Sequence, residues 1–240
     1  MSTPLAIIGT GKMGRLVEQL APEYGFEVRA RFDIENIAAL SRETLNGAGI
    51  AIEFTAPDAA PGNLQRLAAC GVNTVCGTTG WYGRLPEVRH AVAAAGTALV
   101  YAPNFSIGVN LFLEAVARTA ALFAQQPEYE AWGWEIHHSA KKDAPSGTLK
   151  KLAEEIRAAG YAGSLTLSSN RAGGHTGTHE IGFDSPADTI TLRHTARNRE
   201  GFARGALLAA RWIAGKKGVF EFREILNELG RAGAASSAAT

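Results

Sequence analysis

Near its start the chain reads Ile7-Ile8-Gly9-Thr10-Gly11-Lys12-Met13-Gly14, an apolar run broken by glycines in GxGxxG spacing and followed at once by a helix start. No other segment restricts the fold as much. The spacing suits a strand that turns tightly into a helix: Gly9 permits the turn, Gly11 lets backbone approach a pyrophosphate, and Gly14 lets the helix pack closely on the strand. A pyrophosphate would rest on the unpaired N–H groups at the positive end of that helix. Gly9, Thr10, Gly11, Lys12, Met13 and Gly14 are therefore candidate cofactor contacts, a purely structural glycine turn being the alternative. The fingerprint also requires an acidic residue about 20 positions further on. Asp33 fills that place at the end of the next strand candidate, where a carboxylate can accept from adenosine ribose hydroxyls. Asp33 would repel a 2′-phosphate and so favours NADH, while Arg31 on the same strand face and Arg15 nearby could neutralise one. The expected cofactor is NADH and/or NADPH, leaning to NADH.

The first hundred residues carry short apolar runs at 5–8, 26–30, 50–54, 72–76 and 98–101. Amphipathic stretches at 12–20, 63–69 and 85–95 lie between them, with a weaker helical candidate at 37–40. Buried strands alternating with helices imply right-handed crossovers and a parallel sheet covered on both faces, a doubly wound Rossmann-type α/β domain. Two loops fall at carboxyl ends of strands, where ligands of such sheets bind. They contain Gly77, Thr78 and Thr79, and Ala102, Pro103, Asn104 and Phe105. Gly77 and Gly80 would let backbone amides come near a nicotinamide ribose or carboxamide; ordinary Gly/Thr and Pro/Asn turns are the other reading.

After residue 106 the rhythm changes to helix at 107–123, strand at 129–138, helix at 148–159, and strands at 165–167, 179–183 and 189–195. The alternation in the last of these predicts a second α+β domain with a mixed or antiparallel sheet. A further helix at 202–213 could pack on either domain, and the final RAGAASSAAT has too little to bury and is expected to fray. The change of rhythm near 106 divides the chain into a dinucleotide-binding part and a second domain.

Composition narrows the function. With 46% hydrophobic and 20% charged residues over 240 positions, the chain is globular rather than disordered or collagen-like. Its 24 Lys+Arg balance 23 Asp+Glu, so no global charge points to nucleic acid or an anionic membrane. No apolar run approaches the roughly 18 residues of a spanning helix, and the opening stretch is too short for a signal peptide. Cys70 and Cys76 fit no disulfide or metal spacing and read as reduced, small apolar residues, with a redox or metal role as the lesser reading. A cytoplasmic address is expected.

The densest run of reactive groups is Glu135-Ile136-His137-His138-Ser139-Ala140-Lys141-Lys142-Asp143-Ala144-Pro145-Ser146-Gly147-Thr148. His137 and His138 at a strand end point to opposite sides, so they suit separate tasks rather than one metal. Lys141 supplies an ammonium. Ser146, Gly147 and Thr148 open a helix, and neither Ser146 nor Thr148 has Glu or Gln three residues later to complete a capping box. Free N–H donors there, with Lys141, could anchor a substrate carboxylate. Alternatively this is a polar loop whose Ser146 or Thr148 caps its own helix. His175 and His179 form HxxxH, but the glycines around them argue against a helix that would aim both at one metal, and no metal is expected.

Together these motifs resemble the dihydrodipicolinate reductase family, the 4-hydroxy-tetrahydrodipicolinate reductases of the diaminopimelate–lysine pathway. The likeness runs to about residue 229 through GxGxMG, GTTG, APNFSIGVN and, most specifically, E-x-H-H-x-x-K-x-D-A-P-S-G-T, with RxGxxxGxH at 171–179 and FARGALLAARW at 202–212 in agreement. It implies reduction of a cyclic imine dicarboxylate, with His137 and Lys141 as proton-transfer residues. It also implies His138, Gly147 and Thr148 as substrate contacts, to which the helix start adds Ser146, and a homotetramer built through the sheet of the second domain. In the family the C-terminal helices return to the nucleotide domain, so the division expected is a dinucleotide-binding domain of 1–106 and 197–240 and a second domain of 107–196. The first glycine loop is one residue shorter than the GxxGxMG of many members, and the second strand ends Arg-Phe-Asp, which leaves NADH against NADPH open. A different two-domain nicotinamide dehydrogenase would have no use for HHxxKxDAPSGT. A non-catalytic dinucleotide sensor would bind NADH without turnover.

Overall fold

Leu5–Ile8 are all buried, as a strand covered on both faces requires. In the computed structural model, which describes residues 2–226 and 228, they lie in β1 (Thr3–Ile8). The glycine turn delivers the chain into α1 (Lys12–Leu20), after which β2 (Phe26–Phe32) returns parallel to β1. The weak helical candidate at 37–40 is a short 3-10 turn, Ile37–Ala39. β3 (Ile50–Glu53), α2 (Ala60–Ala69), β4 (Asn73–Cys76), α3 (Leu85–Ala95) and β5 (Ala98–Tyr101) then alternate, every pairing parallel. Prolines open α2 and α3, where a missing N–H is harmless, and Gly96 ends α3 in the left-handed region at φ 66°.

A second compact unit spans Ile107–Arg199. It begins with α4 (Ile107–Phe123) and contains β6 (Glu130–His137), α5 (Gly147–Ala158), β7 (Leu165–Arg171), β8 (Thr178–Asp184) and β9 (Thr189–Thr195). The sheet order is β7-β6-β8-β9, with β6 parallel to β7 and the other pairs antiparallel, so the sheet is mixed. On one face Ala131, Ile181 and Phe183 pack with Val116, Leu149 and Ile156 of the two helices. Trp132 and Trp134 alternate to the other face, where no helix of this unit lies among the described residues, and Trp132 lies over Gly182.

The chain rejoins the first unit at α6 (Glu200–Trp212), whose small buried face (Ala203, Gly205, Ala206, Ala209, Ala210) packs toward α1, β3 and β4. This settles what the sequence left open. Gly205 is required there, since a Cβ would sit 1.8 Å from the Phe105 carbonyl oxygen. β10 (Gly218–Glu221) adds a parallel edge to β5, a strand the sequence did not announce. The full order is β10-β5-β4-β3-β1-β2. The terminal RAGAASSAAT segment lies outside the described residues.

Candidate functional site

In the first sheet β2 and β3 flank β1 on opposite sides, so the strand order reverses there and the carboxyl ends diverge. A cavity of about 340 Å³ opens at that point, lined by Gly9, Thr10, Gly11, Asp33, Phe54 and Thr55 among others. A second, of about 450 Å³, continues past the start of α1 along Lys12, Met13, Thr78 and Thr79. The three glycines divide the work. Gly9 has φ +98° and a Cβ there would be 2.1 Å from the Phe54 carbonyl oxygen; a Cβ on Gly14 would be 1.9 Å from the Gly9 carbonyl oxygen. Those two fit the chain to itself. Gly11 has open space where a Cβ would go, and it is the N-cap of α1 with no side-chain cap. The helix therefore presents bare N–H groups to the groove, with no acidic side chain in its first turn. These features fit a dinucleotide pyrophosphate, and a pyridine nucleotide is the cofactor the fold implies.

Asp33 is half-buried at the groove and accepts from Thr10 Oγ1 (3.0 Å) and the Glu35 N–H (3.0 Å). Arg31 donates to Glu18 Oε1 at 2.9 Å and Arg15 to the Thr10 carbonyl at 3.1 Å. Both cations that the sequence offered to a 2′-phosphate are thus engaged elsewhere. Gly77 meets a steric demand the sequence did not show: a Cβ would lie 1.9 Å from the Phe54 ring. The neighbouring Thr78 is buried, and its hydroxyl accepts the Thr55 N–H at 2.7 Å, tying the two loops of the groove together. Beneath them Glu53 is fully buried, a residue sequence reasoning passed over; it accepts from the Cys76 thiol at 3.0 Å and from the Thr55 hydroxyl. Burial, then the Glu53 charge, push the Cys76 thiol well up, so it stays an S–H donor. Ala102 and Phe105 are buried and Pro103 exposed; Phe105 packs on Phe222 with ring centroids 4.8 Å apart, and Asn104 Oδ1 accepts the Ser106 N–H at 2.8 Å.

In the second unit the register gathers the chemistry. Glu135 and His137 alternate onto the helix-covered face of β6, beyond Ala131 and Gly133. Glu135 lies opposite His179 on β8 and beside Ser169 on β7, and His137 lies beside Arg171. Glu135 is fully buried. Its carboxylate accepts from the Ser146 N–H (2.9 Å), the Ser146 hydroxyl, Ser169 Oγ (2.9 Å) and Arg171 Nη2 (2.9 Å). Burial alone would push its pKa up, but the donors from Ser146, Arg171 and Ser169 hold it at about 2. The imidazoles stand on either side, His137 Nδ1 at 3.6 Å and His179 Nε2 at 3.4 Å, with ring centroids 5.0 Å apart. Burial lowers the pKa of His137, against the pull of Glu135 and with the push of Lys141 and Arg171. Gly177, at φ +136°, lets the chain pass His137, since a Cβ would be 3.0 Å from Nε2.

Ser146 is the N-cap of α5, accepting the Leu149 N–H as the capping reading expects, and its N–H and hydroxyl donate to Glu135. Gly147 and Thr148 follow with N–H groups that have no partner among the described residues. Lys141 Nζ lies 2.8 Å from Asp143 Oδ1, and the Lys141 N–H closes a turn onto the His138 carbonyl. His138 is half-buried just past β6, and His175 is exposed, apart from any ligand cluster. Glu135, His137 and His179 approach closely enough to suggest metal ligation. Four donors, one a guanidinium, already satisfy the carboxylate, and this donor set fits a hydrogen-bonded hub better than a cation site.

The family models described as dihydrodipicolinate reductase, N-terminus, and dihydrodipicolinate reductase, C-terminus, match residues 3–105 and 108–226. The 4-hydroxy-tetrahydrodipicolinate reductase of Christiangramia forsetii is 32% identical over 238 residues, covering 94% of this chain and 98% of that protein. The enzyme of that name from Archaeoglobus fulgidus is 34% identical, covering 85% and 91%. The solved dipicolinate-bound dihydrodipicolinate reductase of Paenisporosarcina sp. TG-14 superposes with a TM-score of 0.79 at 23% identity over 95% of this chain and 99% of that one, a likeness of fold. With both halves matched in order and the relatives covered nearly end to end, the chain belongs to the dihydrodipicolinate reductase family.

Proposed function

We propose that the protein reduces 4-hydroxy-tetrahydrodipicolinate to tetrahydrodipicolinate in diaminopimelate and lysine biosynthesis, with NADH preferred over NADPH. The observation that carries this reading, beside family membership, is the hub around Glu135: one carboxylate holds the first turn of α5 while standing beside His137. A proton-transfer imidazole and an anion-binding helix start are thereby built as one piece.

The substrate is a cyclic imine with two carboxylates. It loses water and accepts a hydride at a ring carbon conjugated with C=N, and one proton must arrive to balance that hydride. A bound nicotinamide supplies the hydride. His137 and Lys141 deliver the proton, a role worth roughly 10²–10⁴-fold when the donor is well placed. The N–H groups of Gly147 and Thr148, with His138, anchor the carboxylates by charge-assisted hydrogen bonds. In the first unit the start of α1 and Gly11 take the pyrophosphate, Asp33 the adenosine ribose, and Gly77–Thr79 with Ala102–Phe105 the nicotinamide end. The NADH preference rests on Asp33 together with the engagement of Arg31 by Glu18. Trp132 and Trp134, half-buried on the uncovered sheet face, support assembly through that face into a homotetramer, which light scattering on the purified protein would count. The same reading places the enzyme in the cytoplasm, in keeping with free thiols at Cys70 and Cys76.

The test is an absorbance assay with substrate made in situ by the upstream synthase from pyruvate and aspartate semialdehyde. Rapid oxidation of NADH, slower with NADPH, is expected. Cofactor binding without oxidation would refute the reading.

A further inference from the structure

On the site face of the second sheet the apolar core stops abruptly. Ala131 and Gly133 of β6 pack with the helices, and the next two residues on that face are Glu135 and His137, both buried. A buried carboxylate is costly to hold unless every lone pair is used. Here the donors come from three separate elements: Ser169 and Arg171 on β7, Ser146 at the start of α5, and the His179 ring on β8 close by. Arg171 reaches further, since its Nη2 also donates to the Asp143 carbonyl at 2.5 Å. The residues on both sides of 144–145 are therefore tied to one carboxylate, Asp143 through Arg171 and Ser146 directly.

We propose that Glu135 and Arg171 form a positioning clamp for proton delivery, in which Glu135 orients His137 and Arg171 fixes the 143–146 segment that carries the partner of Lys141 and opens α5. Neither residue touches the reacting atoms; both act through others. This rests on the proposed reductase reaction, in which His137 and Lys141 deliver the proton. The clamp also has an electrostatic side. His137 faces Glu135 on its own strand, Arg171 on β7, His179 on β8, and Lys141 and Asp143 in the following loop. Arg171 and Lys141 disfavour its protonated form; Glu135, nearest at 3.6 Å, and Asp143 favour it. Glu135 thus keeps His137 able to carry a proton in a site that otherwise discourages it.

The experiment uses the full chain with 13C-labelled histidine. Imidazole titrations by NMR and kcat/KM against pH are recorded for the wild type, Glu135→Gln and Arg171→Lys, with NADH affinity as a control. In Glu135→Gln the His137 pKa should fall by about 1 unit. With it, kcat/KM at pH 7.5 should fall about tenfold and recover as the pH is lowered, which a merely structural lesion would not do. An unchanged His137 titration in a folded Glu135→Gln protein would overturn the proposal. Should that variant not fold, Arg171→Lys decides. Lysine lacks the planar fork whose Nη2 meets both Glu135 and the Asp143 carbonyl while Nη1 meets the Asn170 carbonyl, and its shorter stem stops before that point, so substrate KM should rise about tenfold or more with NADH affinity kept. A wild-type KM in Arg171→Lys would equally overturn the clamp. A wild type that binds NADH without turnover would sink the reductase reading instead, and the NMR titration would still decide the role of Glu135.

Discussion

The division of labour among the N-terminal glycines can be tested by adding one methyl group. Gly11 has φ −72° and ψ −163°, extended backbone open to any residue, and a Cβ there would meet nothing within 4 Å. Gly11→Ala should therefore fold. The loss is that of an N-cap glycine exchanged for alanine, on the order of 1 kcal/mol, and for a chain of this size that lowers Tm by only about 2–4 °C. The cofactor should notice far more. If the pyrophosphate rests against this turn, the methyl holds it off the first N–H groups of α1. Losing two charge-assisted hydrogen bonds at roughly 1.5–3 kcal/mol each weakens NADH by about a hundredfold or more. Fluorescence titration with NADH beside a thermal melt reads both quantities. A folded Gly11→Ala protein whose NADH Kd stays within about threefold of wild type would refute the assignment.

Other expectations concern separate parts of the molecule. Lys141→Ala should cut kcat/KM by about a hundredfold or more while NADH affinity holds, and near-normal steady-state turnover would remove Lys141 from proton delivery. Asp33→Ala should raise KM for NADH more than for NADPH, and an unchanged cofactor ratio would contradict its ribose role. Gly205→Ala forces a Cβ to within 1.8 Å of the Phe105 carbonyl oxygen under α6. About 2 kcal/mol of overpacking should appear as a Tm loss of roughly 4–8 °C, and an unshifted melt would show that α6 moves freely there. His179 is pulled down from 6.5 to about 4 by burial and by the charge of His137. Its folded value lies below its unfolded one, so the stability it confers is complete above about 6.5 and drains as pH falls toward 4. Urea midpoints should decline across that window in the wild type and flatten in His179→Gln.

Elements with a strong period were legible in the residues: 12–20, 85–95 and 107–123 are helices with the same bounds in the structure. Gly218–Glu221 was not, because four residues following Gly215-Lys216-Lys217 show no period, and their pairing partner β5 lies more than a hundred positions earlier. The glycine turn was readable from spacing alone, GxGxxG between an apolar run and a helix start, although the Phe54 carbonyl that Gly9 clears comes from a distant segment and Gly11 clears nothing. At Gly77 a second demand, the Phe54 ring, was hidden because it arrives from another segment of the chain. The same holds for the hub. Period two places Glu135 and His137 on one face, but only the register of β6 against β7 and β8 brings up Ser169, Arg171 and His179. Ser146 read equally as cap or ligand until Glu135 was seen to take its donors. Glu53 offered a faint signal, an acid closing an apolar strand, whose meaning depends on Cys76, 23 positions later on the neighbouring strand.

In the proposed reaction NADH would supply the hydride, and His137 and Lys141 the proton that balances it. Incubating the purified protein with NADH deuterated at both C4 positions and synthase-generated substrate, then weighing the product by mass spectrometry, follows that hydride. One deuterium should appear in tetrahydrodipicolinate for each NADH consumed, and Lys141→Ala should slow this transfer without loosening NADH. Product free of deuterium, or NADH bound but never consumed, would contradict that reaction.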